Sequence, residues 1–191
     1  MNWYEKLNEY FPVEEMKSKR HMEILLDEKG DVYYKDEGPN HVMMYAEFET
    51  FVFIDYLWVS AKTRGQGLGH QLIEKLKGKN KPIILEVEPI DYEDTDTEKR
   101  LRFYKRENFT HASSIEYNRK SLATNKKTML EILYWAPNKE SEDMIFKQMK
   151  KMYESIHTYK DKELYGKSYQ PVEEVLSFDE GCGRKDMLSH I

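Results

Sequence analysis

The spacing of apolar residues changes along this chain, and each change marks a new kind of element. Leu7, Tyr10, Met16, Leu25 and Leu26 stand among many Glu and Lys and are interrupted by Pro12. This predicts two helices between Trp3 and Asp27. From Asp31 the pattern tightens: "DVYYKDEGPNHVMMYAEFETFVFIDYLWVS" is made of β-branched and aromatic runs, with the turn sequence "DEGPN" and a second turn near Glu49 and Thr50. Three antiparallel strands are expected there. The third, Phe51 to Val59, is apolar on both alternating faces, as a central strand covered on both sides is, and Asp55 is its one charged residue.

Helical spacing then returns. Leu68, Leu72, Ile73 and Leu76 form one stripe of a short helix that Gly78 ends. "PIILEVE" reads as a buried strand. After the loop "PIDYEDTD", Thr95 and Glu98 predict a capping box that opens another helix, closed by Asn108 in the left-handed conformation. Strands around Ser113 to Asn118 and Thr128 to Trp135 flank a polar hairpin loop. The order is two helices, three strands, helix, strand, helix, two strands, without an internal repeat. Beyond Pro137, the apolar stripe Met144, Ile145, Met149, Met152, Tyr153 and Ile156 predicts an amphipathic helix over Glu142 to Tyr159. Two coverings are open for it: the chain's own sheet, or a partner such as a second copy in a homodimer. Residues after Phe178 are expected to fray.

With 191 residues, 39% of them hydrophobic, the chain can bury one good core and is short for two. No run approaches the roughly 18 apolar residues of a membrane span, and "MNWYEKLNEYF" lacks the basic-then-apolar order of a signal peptide, so a cytoplasmic address without a membrane partner is expected. The lone cysteine, Cys182, has no internal disulfide partner, which fits a reducing compartment. A net charge of -5 argues against nucleic acid and suits a cationic small molecule or a basic peptide. No His, Cys or carboxylate spacing resembles a metal-ligand set, so no metal is expected.

The stretch "KTRGQGLGHQL", Lys62 to Leu72, changes the picture most, because Gly65, Gly67 and Gly69 alternate between the third strand and a helix. A dinucleotide fingerprint needs G-x-G-x-x-G, but here the third glycine comes one residue early and His70 stands in its place. A Walker loop ends in G-K-S/T, and His70 follows Gly69 instead. What remains is R-x-x-G-x-G, carried by Arg64, Gly67 and Gly69, at a strand-to-helix junction. Free amide hydrogens and the helix dipole converge at such a junction, which suits an anionic pyrophosphate.

These residues resemble the GCN5-related N-acetyltransferases, the GNAT family, which binds acyl-coenzyme A through a loop of pattern Q/R-x-x-G-x-G/A. "IDYLWVSAKTRGQGLGHQLIEKL" matches that loop with the strand before it and the helix after it, "LEVE" matches the next strand, and "LRFYKRENF" the closing helix. From about Tyr33 to Trp135 the element order agrees. The resemblance implies a single α/β domain of the α+β kind: a mixed, mostly antiparallel sheet splayed between two central strands, helices on both faces, and an extra C-terminal helix. Residues 1–137 would form the acyl-CoA-binding domain, 138–177 a helical extension packed on it or extending it, and 178–191 a flexible tail.

The resemblance also implies roles. Acetyl-CoA would be the co-substrate, and its acetyl group would pass directly to an amine of a small molecule, a protein lysine or an N-terminus. The amides of Gln66, Gly67, Leu68, Gly69 and His70, in one loop with Arg64 and Gly65, would hold the pyrophosphate. Leu57, Trp58 and Val59 would offer strand-edge backbone to the pantetheine arm, with an amide near Val59 meeting the thioester oxygen. A base must take a proton from the amine. Glu86 and Asp55 rank ahead of Glu88 for this, against the alternative that strand-end carboxylates serve as ion-pair partners. Tyr104 would protonate the leaving thiolate, or fill the core beside Phe103 and Leu101. A second function remains open, an acyl-CoA-binding module without turnover. It is favoured by Thr97 and Arg100, which stand where the family often has Asn and Ala.

Overall fold

The computed structural model describes residues 1–121 and 123–191; Leu122, in the polar loop expected after Asn118, lies outside them. Helices α1 (Trp3–Tyr10) and α2 (Lys19–Glu28) are separate because Pro12 follows the first and each has its own cap. Asn2 Oδ1 accepts from the Glu5 amide at 3.0 Å while Glu5 returns a bond to the Asn2 amide, and Ser18 Oγ caps α2 at His21. Strands β1 (Tyr33–Gly38), β2 (His41–Glu47) and β3 (Val52–Val59) form the expected antiparallel meander. Then come α3 (Leu68–Lys77), β4 (Ile83–Val87) and α4 (Thr95–Arg106). Asp94 caps α4, accepting from the Asp96 amide at 2.9 Å, so the capping box expected at Thr95 and Glu98 is not made: Thr95 is already the first helical residue. Asn108 takes the left-handed conformation, as expected.

After a two-residue β5 (Thr110–His111) come β6 (Ile115–Lys120), β7 (Lys127–Trp135) and α5 (Glu142–Met152), which runs on through a π-helical turn over Tyr153–His157. Two short helices, α6 (Asp161–Tyr165) and α7 (Val172–Val175), lead to β8 (Leu176–Phe178). The sheet runs β1-β2-β3-β4-β7-β6-β8, with β5 on β7. All its pairs are antiparallel except β3 with β4. This is the mixed sheet the resemblance implied. One face is covered by α1, α2, α5 and the π turn, the other by α3 and α4.

The stripe of α5 settles on the chain's own sheet: Ile145, Met149, Met152 and Ile156 are fully buried in the first core, whereas Met144 points outward at 42% exposure. The segment read above as a flexible tail lies against the domain. Arg184 pairs with Glu131 and donates to the Ile115 carbonyl, the Met187 amide donates to His111, Lys105 donates to the Leu188 carbonyl, and Leu188 joins the second core. Sequence spacing concealed this because every partner lies at least 53 residues away.

Two irregularities shape the site. In the β2–β3 ladder Met44 faces Tyr56 and Tyr45 faces Ile54, which leaves Asp55 as the extra residue of a β-bulge. Next to it, the parallel pairing of β3 with β4 stops at Ile54 and Leu85, although both strands continue. The sheet is therefore split open between Asp55–Val59 and Glu86–Val87.

Candidate active site

The opening of α3 explains the glycines one by one. Gly65 and Gly67 have φ of +80 and +84, which a residue with a Cβ rarely adopts. Gly67 is also the helix N-cap, and with no side chain it leaves the first amides uncapped. The first helical bond runs from the Gln71 amide to the Gly67 carbonyl, so Leu68, Gly69 and His70 present theirs outward. The Gln66 amide, by contrast, is bonded to the Thr63 carbonyl. Gly69 serves packing: a Cβ there would stand 3.1 Å from the Phe103 ring on α4.

These amides face a cleft of about 700 Å³ between α3, α4 and the end of β3. Leu57, Val59, Arg64, Gly65, Gly67, Leu68, Gly69 and His70 line it, while Trp58 and Gln66 do not. Trp58 packs on the opposite core under Lys6. The Ser60 amide bonds back to Asn40 on the β2 side, so by ladder alternation the Leu57 and Val59 amides point the other way, into the split. The far wall is basic. Lys99, Arg102 and Arg106 of α4 line the cleft, a stripe at i, i+3 and i+7 in "TEKRLRFYKR" that sequence reading passed over.

A second, smaller cavity of about 40 Å³ lies beneath the split, lined by Glu15, Asp55, Glu86, Arg100, Tyr104 and Arg119 among others. Leu57, Arg100 and Tyr104 line both spaces, so the two meet there. Burial pushes the Tyr104 phenol well above its usual range, so it stays protonated. It also packs edge-on against Phe103 and Phe109, so its ring is part of the core as well.

The carboxylates differ sharply. Asp55 is locked away: Oδ1 takes Lys17 Nζ at 2.7 Å and Oδ2 accepts from the Tyr33 hydroxyl at 2.6 Å. Glu86 has His157 Nε2 at 2.7 Å and Arg119 at 4.0 Å. Burial alone would raise its carboxyl, but those two neighbours outweigh burial and hold it at about 2. Glu15, on the loop between α1 and α2, behaves oppositely. Burial and the adjacent Glu88 push it up to about 8, with Arg100 pulling the other way. No sequence signal marked Glu15, since Glu88 comes from the loop just after β4 and Arg100 from α4. Glu88 itself lies 3.8 Å from Arg100.

Thr97 and Arg100 have definite places. The buried Thr97 hydroxyl donates to the Asp94 carbonyl at 2.8 Å and accepts from the Asp91 amide, tying the loop after β4 to α4. Arg100 spreads over the rings of Tyr10 and Phe11 at the junction of the cavities. The fold also gathers His70, Glu74 and Glu107, with ligand atoms within 4.8 Å of one another, a grouping that sequence spacing had not suggested. Lys77 already brings positive charge there, 3.0 Å from Glu74 and 3.7 Å from Glu107. Among the described residues, no helix is long and apolar enough to cross a membrane.

Comparison with known proteins bears on the family and the fold. Residues 27–111 match the model of the family described as "Acetyltransferase (GNAT) domain". The whole chain is 61% identical to the whole of "Putative acetyltransferase YjbC" of Bacillus subtilis (strain 168). Among solved structures, a "Putative acetyltransferase from GNAT family" of Bacteroides thetaiotaomicron covers 86% of this chain and 90% of its own, with a TM-score of 0.57 at 24% identity, a likeness of fold.

Proposed function

This chain belongs to the GNAT acetyltransferase family and moves an acetyl group from acetyl-CoA to an amine, and from that premise we propose which of its residues do the work. The observation that carries the assignment is the meeting of the two cavities at Leu57, Arg100 and Tyr104. In the larger cleft, the uncapped amides of Leu68, Gly69 and His70 take the pyrophosphate, with Arg64 and the basic stripe of α4 supplying counter-charge. The pantetheine arm runs along the free edge of β3. The thioester then lies at the junction, its oxygen toward the Val59 amide, whose hydrogen bond strengthens as charge develops.

The acceptor enters the smaller cavity. Burial and Glu88 raise the affinity of Glu15 for a proton toward that of an amine, so we assign it the amine proton. Asp55 and Glu86, the bases favoured by sequence, are tied to Lys17 and to His157 and Arg119, and hold the surrounding groups in place instead. Nitrogen attacks the thioester carbon, the C–N bond forms and the C–S bond breaks. The amine proton goes to Glu15 and the thiolate takes one from the Tyr104 hydroxyl. The comparisons name acetyltransferases, and nothing favours the binding module without turnover. Calorimetry with acetyl-CoA, followed by an acetyl-transfer assay over free amino acids, polyamines and peptides, tests the reading. Absence of acetyl-CoA binding, or binding without transfer to any amine, would refute it.

A further inference from the structure

Resting on that reading, the charges around the smaller cavity say more about the acceptor than "an amine". Asp55 is matched by Lys17 at 2.7 Å, and Glu86 accepts a hydrogen bond at 2.7 Å from His157, whose burial lowers its affinity for a proton. Setting these aside leaves two carboxyls, Glu15 and Glu88, and two guanidiniums, Arg100 and Arg119.

Arg119 is the unusual member. It comes from β6 on the far side of the cavity and is only 5% exposed. Its nearest carboxylate among the described residues is Glu86, at 4.0 Å, which is beyond hydrogen-bond distance. Its Nε is buried without any partner, and so are Arg100 Nε and Glu15 Oε1. A buried Nε–H without an acceptor is costly, and an anion entering the cavity would supply one. A plain amine, a polyamine or a lysine side chain would satisfy Glu15 but bring no acceptor to the Nε hydrogens of Arg100 and Arg119.

We propose that the acceptor is a small amino carboxylate, such as a free amino acid, whose carboxylate is gripped by Arg119 with Arg100 beside it and whose amine faces Glu15. One such molecule brings an acceptor to the arginine Nε hydrogens and a donor to Glu15 Oε1. The cavity volume of about 40 Å³ suits a head group of that size and leaves no room for a folded protein segment. Arg is also the side chain best shaped to grip a planar carboxylate, through paired N–H bonds.

The test pairs each of the twenty standard L-amino acids with its C-terminal amide as acceptor for the wild-type protein with acetyl-CoA. At least one amino acid should be acetylated with kcat/KM about 10²-fold or more above its amide, because the amide leaves Arg119 without an anion. The same amino acid, and not its amide, should raise the melting temperature. In Arg119→Gln the ratio of acid to amide should collapse to within about 3-fold, while Arg119→Lys should retain part of it. Should Arg119→Gln fail to fold, the wild-type acid-to-amide ratio and melting shifts decide alone. Amides that work as well as acids, an equal loss on both in Arg119→Gln, or a panel with neither turnover nor melting shift would overturn the proposal. Transfer to amides or peptides alone would leave the acetyltransferase reading standing. Failure to bind acetyl-CoA, read by calorimetry, removes both.

Discussion

Lys17 Nζ and Asp55 Oδ1 lie 2.7 Å apart with both side chains only 3% exposed, so a loop between two helices is joined by a buried ion pair to the bulge of the central strand. The neighbouring Tyr56 hydroxyl reinforces the joint: it donates to the Glu15 carbonyl at 2.8 Å and accepts from the Lys17 amide at 2.9 Å. The loop that carries Glu15 is thus fixed to the strand that borders the larger cleft.

Breaking this pair from one side should cost far more than replacing it. Asp55→Leu leaves a buried ammonium without its counter-charge, for which a loss of about 3–5 kcal/mol is typical. The double variant Lys17→Met with Asp55→Leu should recover most of that stability, since burying the two charges is itself costly. Activity should stay low in the double variant, because the bulge no longer holds the Glu15 loop in register. Thermal melts and turnover on the four members of the cycle check this. A double variant with full activity would show that the pair does not position the loop.

The glycine loop separates two kinds of glycine. Gly67→Glu should abolish coenzyme A binding, because a side chain forced onto the left-handed N-cap would project among the amides that face phosphate. Gly69→Ala should act through packing: its methyl presses on Phe103 and pushes α3 and α4 apart, so stability should fall by about 1–3 kcal/mol. Calorimetry against coenzyme A together with melting temperature distinguishes them. Unchanged affinity in a folded Gly67→Glu protein would sink the phosphate assignment.

Glu15 makes a pH prediction with a definite sign. Its carboxyl is raised to about 8 in the fold, so the folded state holds a proton that the unfolded state releases near pH 4.5. The stability this gives is complete below about pH 4.5 and is lost as pH rises through about 8. Glu15→Gln removes the loss, so its melting temperature should gain on wild type steadily between pH 5 and 9. Catalysis should move the other way. Wild-type kcat/KM should climb through about pH 8 as the base loses its proton, and Glu15→Gln should lower it about 10²-fold or more. A variant with wild-type rates and an unchanged pH profile would acquit Glu15 as the base.

How much of this the sequence disclosed depends on the range over which each signal acts. Strand and helix order was legible because period and turn chemistry are local: "DEGPN" turns β1 into β2, and Pro12 parts α1 from α2. The turn of the glycine loop was legible for the same reason, since the residues that set its backbone at the start of α3 are contiguous. The character of the carboxylates was not. Asp55 and Glu86 stood out as charges in apolar strands, but whether each was free or paired depended on Lys17, 38 residues away, and His157, 71 residues away. Glu15 was invisible because a carboxyl in a polar loop becomes unusual only after folding brings Glu88 beside it. Arg119 sat in a strand with alternating burial, and nothing local told its inward position from a solvated one.

The most direct separation of chemistry from packing comes from Tyr104. Its ring belongs to the second core, edge-on to Phe103 and Phe109, while the residue also lines both cavities where they meet. Tyr104→Phe keeps the ring and those contacts and removes only the hydroxyl. If the hydroxyl donates a proton to the leaving sulfur, its contribution appears only as charge develops there, and the bound thioester barely feels it. We therefore expect acetyl-CoA affinity and melting temperature to change little while turnover falls about 10²-fold or more. The phenol is held well above its usual range by burial, so wild-type rates should show no loss from its ionisation at any pH where the protein is folded. A purely structural tyrosine would instead lose stability and activity together. Turnover, affinity and melting measured on one preparation separate these cases, and unchanged turnover in Tyr104→Phe would leave the thiolate to be protonated by water.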